Sequence, residues 1–352
     1  MKQKNKKIIV ILGPTATGKT KLAVKLAMKY SGEIISADSR QVYQGMDIGT
    51  GKDLKDYQIG RQHVPYYLID IVSPKSEFNV AKYQKLAYQA IDDILARDKI
   101  PFLVGGTGLY IDAITKGYVF GTPNAKPAYR TGRPAYRQTS AKTPNIRQKL
   151  DNLSLKQLLI KLKKIDLATY KIIDQKNRRR VQRALEIFYE TGSPKSQQIL
   201  NQNPDFDVLF IGLIPVKYDS SNKIFTKNKT NPSKQPHLNL IELNGTRISM
   251  DVIYQKIDKR LKTRIDEGMV KEIKTLRKKG VSWKRLDDFG LEYRYVSRYL
   301  RGKIDDQEMM DQLKNAICHF AKRQLTWFKR NQDIIWVSNL SEADKLIKKF
   351  LK

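Results

Sequence analysis

Residues Gly13-Pro14-Thr15-Ala16-Thr17-Gly18-Lys19-Thr20 satisfy the pattern G-x-x-x-x-G-K-S/T at every fixed position. The chemistry is phosphate binding. Glycines let successive backbone N–H groups converge on one anion, and the first turn of a following helix adds about half a positive charge. Lys19 would place a full cation on the phosphates, and the Thr20 hydroxyl is the expected ligand for Mg²⁺. Gly13, Pro14, Thr15, Ala16, Thr17, Gly18, Lys19 and Thr20 are therefore the candidate diphosphate-binding positions. The pattern says phosphate and does not by itself say ATP. A kinase or ATPase normally adds an apolar strand ending in an Asp that holds Mg²⁺. Here Phe102-Leu103-Val104 runs instead into Gly105-Gly106-Thr107-Gly108. Tyr67-Leu68-Ile69-Asp70 could be that strand, and Asp70 could equally be an ordinary polar strand end, so the carboxylate partner of Mg²⁺ is unassigned.

Three further clusters carry possible chemistry. Asp38, in Glu33-Ile34-Ile35-Ser36-Ala37-Asp38-Ser39-Arg40-Gln41, falls at the carboxyl end of a short strand, the edge where open α/β sheets carry ligands. A carboxylate beside a diphosphate needs a cation or a reacting proton to offset repulsion, so Asp38 reads as general base or metal ligand, or else as the cap of a following turn. Gly105-Gly106-Thr107-Gly108 is a second glycine turn that leaves the Thr107 hydroxyl available to donate, although a plain tight turn would look the same. Asn177-Arg178-Arg179-Arg180-Val181-Gln182-Arg183 crowds arginines onto one helix, with Arg179 and Arg183 sharing a face at i, i+4. Guanidinium forks suit phosphates and base edges.

The elements that must position these groups alternate. Ile8 to Leu12 reads as a buried parallel strand, Lys21 to Tyr30 as a helix, Glu33 to Ala37 as a strand, and Tyr67 to Val72 as a further one. Tyr83 to Ala96 reads as a helix, and Pro101 to Val104 and Val208 to Leu213 as strands, which together imply an α/β fold with a parallel sheet flanked by helices. Thr122 to Pro144, with its near-repeat AKPAYR and GRPAYR, reads as a basic loop, and Ile146 to Gly192 as wholly helical. Tyr218 to Arg247 reads as a polar surface excursion, Ile253 to Lys279 as one long helix stopped by Gly280, and Asp306 to Arg330 as another. The expected organisation is a catalytic core at 1–121, a basic helical insertion at 122–200, and a return strand with C-terminal helices at 201–352.

Composition bounds the partners. The 352 residues carry 67 Lys and Arg against 35 Asp and Glu, a formal charge of +32, which points to a polyanionic partner. The single cysteine, Cys318, excludes a disulfide scaffold and any multi-cysteine zinc site. No apolar run approaches a membrane span, and the run IIVIL near the start is too short for a signal peptide, so a soluble, cytoplasmic protein is expected.

Taken together, the blocks resemble one family, the tRNA dimethylallyltransferases (tRNA isopentenyltransferases) of bacterial type. The matching stretches are GPTATGKT (Gly13 to Thr20), ISADSRQVYQGMDIGTGK (Ile35 to Lys52), VGGTGLY (Val104 to Tyr110), NRRRVQRALEIFYETG (Asn177 to Gly192) and AKRQLTWFKR (Ala321 to Arg330). They occur in family order, and DSRQVYQGMDIGT has no reason to occur in a generic phosphate-loop protein. The resemblance implies a phosphate-loop core with a helical insertion, and transfer of a dimethylallyl group from dimethylallyl diphosphate to the exocyclic amine of the adenosine beside the tRNA anticodon, with Mg²⁺. It implies Asp38 as the base, Thr107 at the reaction centre and Arg260 as a diphosphate contact. It implies tRNA anticodon stem-loop contacts from Asp38, Ser39, Arg40 and Gln41, from Arg147, from Arg179, Arg180, Val181, Gln182 and Arg183, from Phe289, Gly290, Leu291, Glu292, Tyr293 and Arg294, and from Lys322 and Arg323. The adenosine would be flipped to reach the reaction channel. The family suggests a monomer without the zinc finger of its eukaryotic members.

This chain departs from the family pattern at Phe289, Glu292, Met250, Lys256 and Cys318. Two related readings are weaker. An adenylate isopentenyltransferase acting on a free nucleotide gives no reason for the charge or for the Arg178 to Arg183 cluster, and a phosphate-loop kinase lacks its paired carboxylate. A catalytically silent RNA-binding protein on the same fold would have no need of Asp38, Lys19, Thr20 and Thr107 together.

Overall fold

A computed structural model of the protein describes residues 6–119, 143–197, 204, 206–215 and 240–352. The chain divides into two compact units, one formed by Met1–Thr115 with Asp205–Lys352 and one by Lys116–Pro204.

The first unit is built on a six-stranded sheet. Its strands are β1 (Lys6–Leu12), β2 (Gly32–Ser36), β5 (Tyr66–Tyr67), β6 (Ile100–Gly105), β7 (Phe206–Leu213) and β10 (Ile335–Val337), in the order β10-β7-β1-β6-β2-β5. Every pairing is parallel, with Ile9 opposite Phe102 on one side of β1 and opposite Leu209 on the other. A parallel sheet covered on both faces needs continuous apolar strands, and Ile8 through Leu12 are all buried. Chain order reverses at β1, between β6 and β7, so the loops leaving the carboxyl ends of β1 and β6 flank the switch point where open sheets bind ligands.

Helices α1 (Lys19–Lys29) and α2 (Val80–Ala96) follow β1 and precede β6, and α3 (Gly108–Thr115) leaves β6. One core cluster joins Leu22, Ala23 and Leu26 of α1 to Ile9 and Ile11 of β1 and to Ala343 and Ile347 of the C-terminal helix Leu340–Leu351. A short antiparallel pair, β3 (Gln58–Ile59) with β4 (Gln62–His63), lies ahead of β5. No helix of the described residues is long and apolar enough to cross a membrane.

The strand expected over Tyr67 to Val72 stops at Tyr67. Leu68 and Asp70 have φ of 63° and 56°, outside the extended region, and Val72 makes only an isolated bridge with Tyr43. The polar stretch expected to run to Arg247 ends earlier: β8 (Leu240–Leu243) and β9 (Thr246–Ser249) form a hairpin about Asn244-Gly245, both with positive φ. The Asn244 amide donates to the carbonyls of Asn331, Gln332 and Ile334, which fixes that turn. Its earlier part, 218–239, lies outside the described residues. The single helix expected over Ile253 to Lys279 is two, Met250–Asp266 and Met269–Lys278, because Gly268 takes φ 101° between them. The helices Trp283–Phe289, Leu291–Leu300 and Asp306–Phe328 complete the unit.

In the second unit, the stretch expected to be wholly helical is interrupted by its own capping residues. Helices run over Thr143–Asp151, Leu155–Ile165, Leu167–Ile172 and Arg178–Thr191. Ser154 forms a capping box with Gln157, Asp166 caps through Thr169 N–H and Asn177 through Arg180 N–H, each satisfying an otherwise orphaned donor at a helix start. Leu150, Leu158, Leu162, Val181, Ala184 and Leu185 form a separate core. Of the basic loop expected before these helices, residues 122–142 lie outside the described ones.

Candidate active site

The phosphate loop leaves β1 through Gly13, whose φ of 148° and lack of a side chain are both required, since a Cβ there would lie 2.4 Å from the Leu213 carbonyl oxygen. Gly18 in the left-handed region then starts α1. The Thr17 hydroxyl and the Lys19 ammonium both donate to the Pro14 carbonyl, at 3.0 and 2.8 Å, which closes the loop on itself. Burial, and then the Arg260 guanidinium, push Lys19 down to about 8 against the opposing pull of Asp38. Arg260, on the helix Met250–Asp266, donates to the Thr15 hydroxyl. Burial and the neighbouring Arg264 push Arg260 down as well, with Glu292 acting in the other direction. A guanidinium is not deprotonated in proteins, so the depression expresses first the cost of burying this cation and then its crowding by Arg264, both of which an anion at the loop would relieve.

The second glycine turn meets the Asp38 loop. Ala37 N–H donates to the Val104 carbonyl at 2.7 Å and Thr107 N–H to the Ala37 carbonyl at 3.1 Å. Ser39 N–H donates to the Thr107 hydroxyl at 3.1 Å. That hydroxyl is therefore an acceptor from the backbone and keeps its own proton to donate. Asp38 Oδ1 accepts from Arg40 N–H at 2.8 Å and from Gln41 N–H at 3.4 Å. Asp38 thus does cap its turn, but with one oxygen. Among the described residues Oδ2 has no hydrogen-bond partner, so a turn cap and a proton acceptor coexist in one side chain.

These groups line a cavity of about 570 Å³ that also receives Arg40, Arg260, Arg264, Phe289, Glu292, His319, Phe320 and Arg323. Arg40 lies over the Phe289 ring, 5.6 Å from its centroid, and Arg285 lies over the same ring at 4.5 Å. Arg264 and Glu292 form a buried ion pair at 3.3 Å. Burial raises the Glu292 carboxyl, while Arg264 pulls it down. The loop that follows Asp38 is held from outside. Glu272 accepts from the N–H groups of Asp47, Ile48 and Gly49, at 2.8, 2.6 and 3.2 Å, and from the Tyr293 hydroxyl at 2.7 Å. Fully buried Lys52 pairs with Asp47 and Asp70 and donates to the Tyr43 carbonyl. Asp70, open in the sequence as a possible metal carboxylate, is thereby engaged by a lysine ammonium.

The expected site residues are not all brought together: of the phosphate loop Gly13 to Thr20, only Thr15 lines the cavity. Asp38, Ser39, Arg40, Thr15, Thr107, Arg260, Phe289, Gly290, Leu291, Glu292, Arg294 and Arg323 meet at the one cavity. Phe289, Glu292 and Tyr293 are buried at 3%, 7% and 2% exposure, so they act as walls and supports rather than as surface contacts. Gln41 bridges the Ser36 hydroxyl and the Gly51 carbonyl, and Lys322 is exposed. In the second unit Arg179, Arg180 and Arg183 are exposed on the helix Arg178–Thr191, as is Arg147 on Thr143–Asp151. Val181 and Gln182 are not: Val181 belongs to the core of that unit and Gln182 donates to Asp151 Oδ1 at 2.8 Å. Arg183 pairs with Glu186 at 3.0 Å and with Glu190 at 3.5 Å.

Sequence reasoning missed Arg264, Glu272, Lys52 and Gln324. Gln324 lies inside the block AKRQLTWFKR, but no local pattern marks its role; Glu272 reads in the sequence as one more charge on a solvated helix.

A model of the family described as IPP transferase matches residues 41–227 and 217–331. The chain is 38% identical over 339 residues to tRNA dimethylallyltransferase 1 of Syntrophus aciditrophicus, covering 94% of this chain and 93% of that protein. It is 39% identical over 328 residues to tRNA dimethylallyltransferase 2 of Shewanella sediminis, covering 93% and 90%. Among solved structures, the full-length tRNA isopentenylpyrophosphate transferase of Bacillus halodurans matches with TM-score 0.60 at 32% identity, over 98% of this chain and 95% of that one. A eukaryotic dimethylallyltransferase, solved acting on tRNA, shares the fold with TM-score 0.70 at 24% identity, over 98% and 77%.

Proposed function

We propose, because this chain belongs to the tRNA dimethylallyltransferase (IPP transferase) family, that it transfers a dimethylallyl group from dimethylallyl diphosphate to the exocyclic amine of the adenosine next to the tRNA anticodon. In that reaction the carbon–oxygen bond to diphosphate breaks, a carbon–nitrogen bond forms, and one amine proton leaves. The observation that carries the reading is the direct bond between the Asp38 loop and Thr107, in the unit and at the cavity where Arg260 holds the phosphate loop through Thr15.

The diphosphate sits in the loop Gly13 to Thr20, where backbone N–H groups, Lys19 and Arg260 supply positive charge as the leaving group develops its own. An adenine amine is a weak nucleophile, so Asp38 accepts its proton through Oδ2 while Oδ1 stays bonded to the turn. Thr107 Oγ1, oriented by Ser39 N–H, donates to an oxygen of the reacting centre.

Mg²⁺ fits the donor set. No group of three or more His, Cys, Asp or Glu among the described residues forms a ready-made cage, and Mg²⁺ beside a substrate diphosphate takes most of its ligands from phosphate oxygens and water, with few from the protein, among them the Ser/Thr hydroxyl of a phosphate loop. The Thr20 hydroxyl at the start of α1 is such an oxygen. When bound there, the ion would neutralise part of the diphosphate charge. Arg179, Arg180 and Arg183 grip the RNA backbone, with Arg147 a further basic contact.

The test is transfer of labelled dimethylallyl from its diphosphate, with Mg²⁺, to unmodified tRNA and in parallel to AMP. Label in tRNA alone is expected. Label in AMP at a comparable rate would move the acceptor to a free nucleotide.

A further inference from the structure

Gln324 lies on the helix Asp306–Phe328, 309 residues from Thr15 and 218 from Gly106, and is 7% exposed. Its amide oxygen accepts from Thr15 N–H at 2.8 Å, and its amide nitrogen donates to the Gly106 carbonyl at 2.8 Å. The partners settle which end is which, since an N–H can only donate and a carbonyl can only accept. The fit is close. A Cβ on Gly106 would lie 2.3 Å from the Gln324 amide nitrogen. Three residues along the same helix, Trp327 Nε1 donates to Asp112 Oδ2 at 2.9 Å, and a Cβ on Gly108 would lie 2.3 Å from the Trp327 ring. One helix therefore holds both sides of the turn that carries Thr107.

We infer that Gln324 is a positioning residue for the transfer: its amide sets the spacing between the loop that holds the leaving group and the turn that carries Thr107. The inference rests on the function proposed above. The bonds run in series, from Thr15 through Gln324 to Gly106, and one residue on from Thr107 to Ser39 in the Asp38 loop. Beyond the ends of β1 and β6 the sheet no longer holds these two loops in register, and the amide supplies the cross-link there. Displacement needs the attacking amine and the departing oxygen on opposite sides of one carbon. A misplacement of about 1 Å in such a reaction costs up to about 100-fold in rate. Glutamine suits the task because it accepts at one end and donates at the other. Glutamate of the same shape would keep the Thr15 bond and set an oxygen against the Gly106 carbonyl, whereas methionine would fill the space and make neither bond.

The experiment compares Gln324→Glu, Gln324→Met and the wild-type chain in transfer to unmodified tRNA. It measures kcat, KM for dimethylallyl diphosphate, tRNA affinity and Tm. Both variants are expected to lose about 10- to 100-fold in kcat with tRNA affinity within about threefold, while KM for dimethylallyl diphosphate stays within about threefold in Gln324→Met and rises in Gln324→Glu, whose carboxylate repels the diphosphate. Unchanged kcat in Gln324→Glu would overturn the inference, as would a rise in KM with kcat intact, which would confine Gln324 to the diphosphate loop. If Gln324→Met folds poorly, Gln324→Glu decides alone through kcat, because it keeps the shape and the Thr15 bond while its added charge acts on diphosphate binding and so on KM. A wild-type chain that transfers nothing to tRNA would overturn the functional reading and this inference with it. Wild-type activity with unaffected variants would overturn this inference alone.

Discussion

Ser39 and Thr107 come from loops at the ends of different strands, and the Ser39 backbone N–H donates to the Thr107 hydroxyl at 3.1 Å. The bond leaves the Thr107 proton free to donate and holds the Asp38 loop against the second glycine turn. It places the two oxygen-bearing side chains needed for proton acceptance and oxygen stabilisation in one rigid unit.

Asp38→Asn keeps a side-chain oxygen for Arg40 N–H, so the turn should persist, but it removes the proton acceptor. Transfer should fall by about 100- to 10,000-fold, with tRNA affinity within a few-fold. Labelled dimethylallyl transfer beside a filter-binding titration reads both. Turnover near wild type would remove Asp38 as the base.

Lys19 should give diphosphate binding a pH dependence. Burial holds the ammonium at about 8, so it is charged below that pH and loses its proton above it. KM for dimethylallyl diphosphate should therefore be lowest on the acid side of pH 8 and rise as pH passes through 8. Bound diphosphate favours the charged form, so the corresponding transition in kcat should lie at higher pH. In Lys19→Ala the KM should be higher by about 10- to 100-fold and this inflection should vanish. A pH profile of KM in the two proteins checks the assignment.

Arg179→Ala combined with Arg183→Ala should weaken tRNA binding and flatten its dependence on salt. Every phosphate that an arginine no longer neutralises lowers the slope of log affinity against log salt by about 0.7 to 0.9. Arg183 already pairs with Glu186 and Glu190, so it also has to be shared with carboxylates. An unchanged slope in the double variant would place the RNA contact elsewhere.

Glu272→Ala should lower stability and activity together. Its carboxylate accepts three backbone N–H groups of the loop after Asp38 and the buried Tyr293 hydroxyl. Removing an acceptor that serves several donors costs on the order of 2–3 kcal/mol. Thermal unfolding should show a lowered Tm, and kcat should drop because the released loop is continuous with Asp38. Full activity with unchanged Tm would mean that the loop is held by Lys52 alone.

The sequence by itself determined the parts of this protein whose chemistry is contiguous. The phosphate loop is eight successive residues between a buried strand and a helix, so pattern and context are both on the line of the chain. The arginine helix is likewise local, and a charge of +32 needs no structure to suggest a polyanion. Strand periodicity placed β1, β2, β6 and β7 close to their observed bounds, because a sheet buried on both faces demands unbroken apolar runs. Asp38, Thr107 and Arg260 were assigned roles through family resemblance, and local spacing alone left Asp38 and Thr107 open.

Only the tertiary structure decided what joins them. Gln324 meets Thr15 across 309 residues, and Glu272 meets Ile48 across 224; no periodicity encodes contacts of that separation. The same holds for what is withdrawn from the surface. Val181 and Gln182 sit within a run of arginines yet face inward, since a helix turns about 100° per residue and its unit needs a core. The surroundings of Phe289 and Glu292 show what each does in the fold: the first stacks beneath Arg40 and Arg285, the second pairs with buried Arg264. Residue type sets which chemistry is available, and folding selects which of those groups share one cavity, because distance in space is fixed by packing rather than by order along the chain.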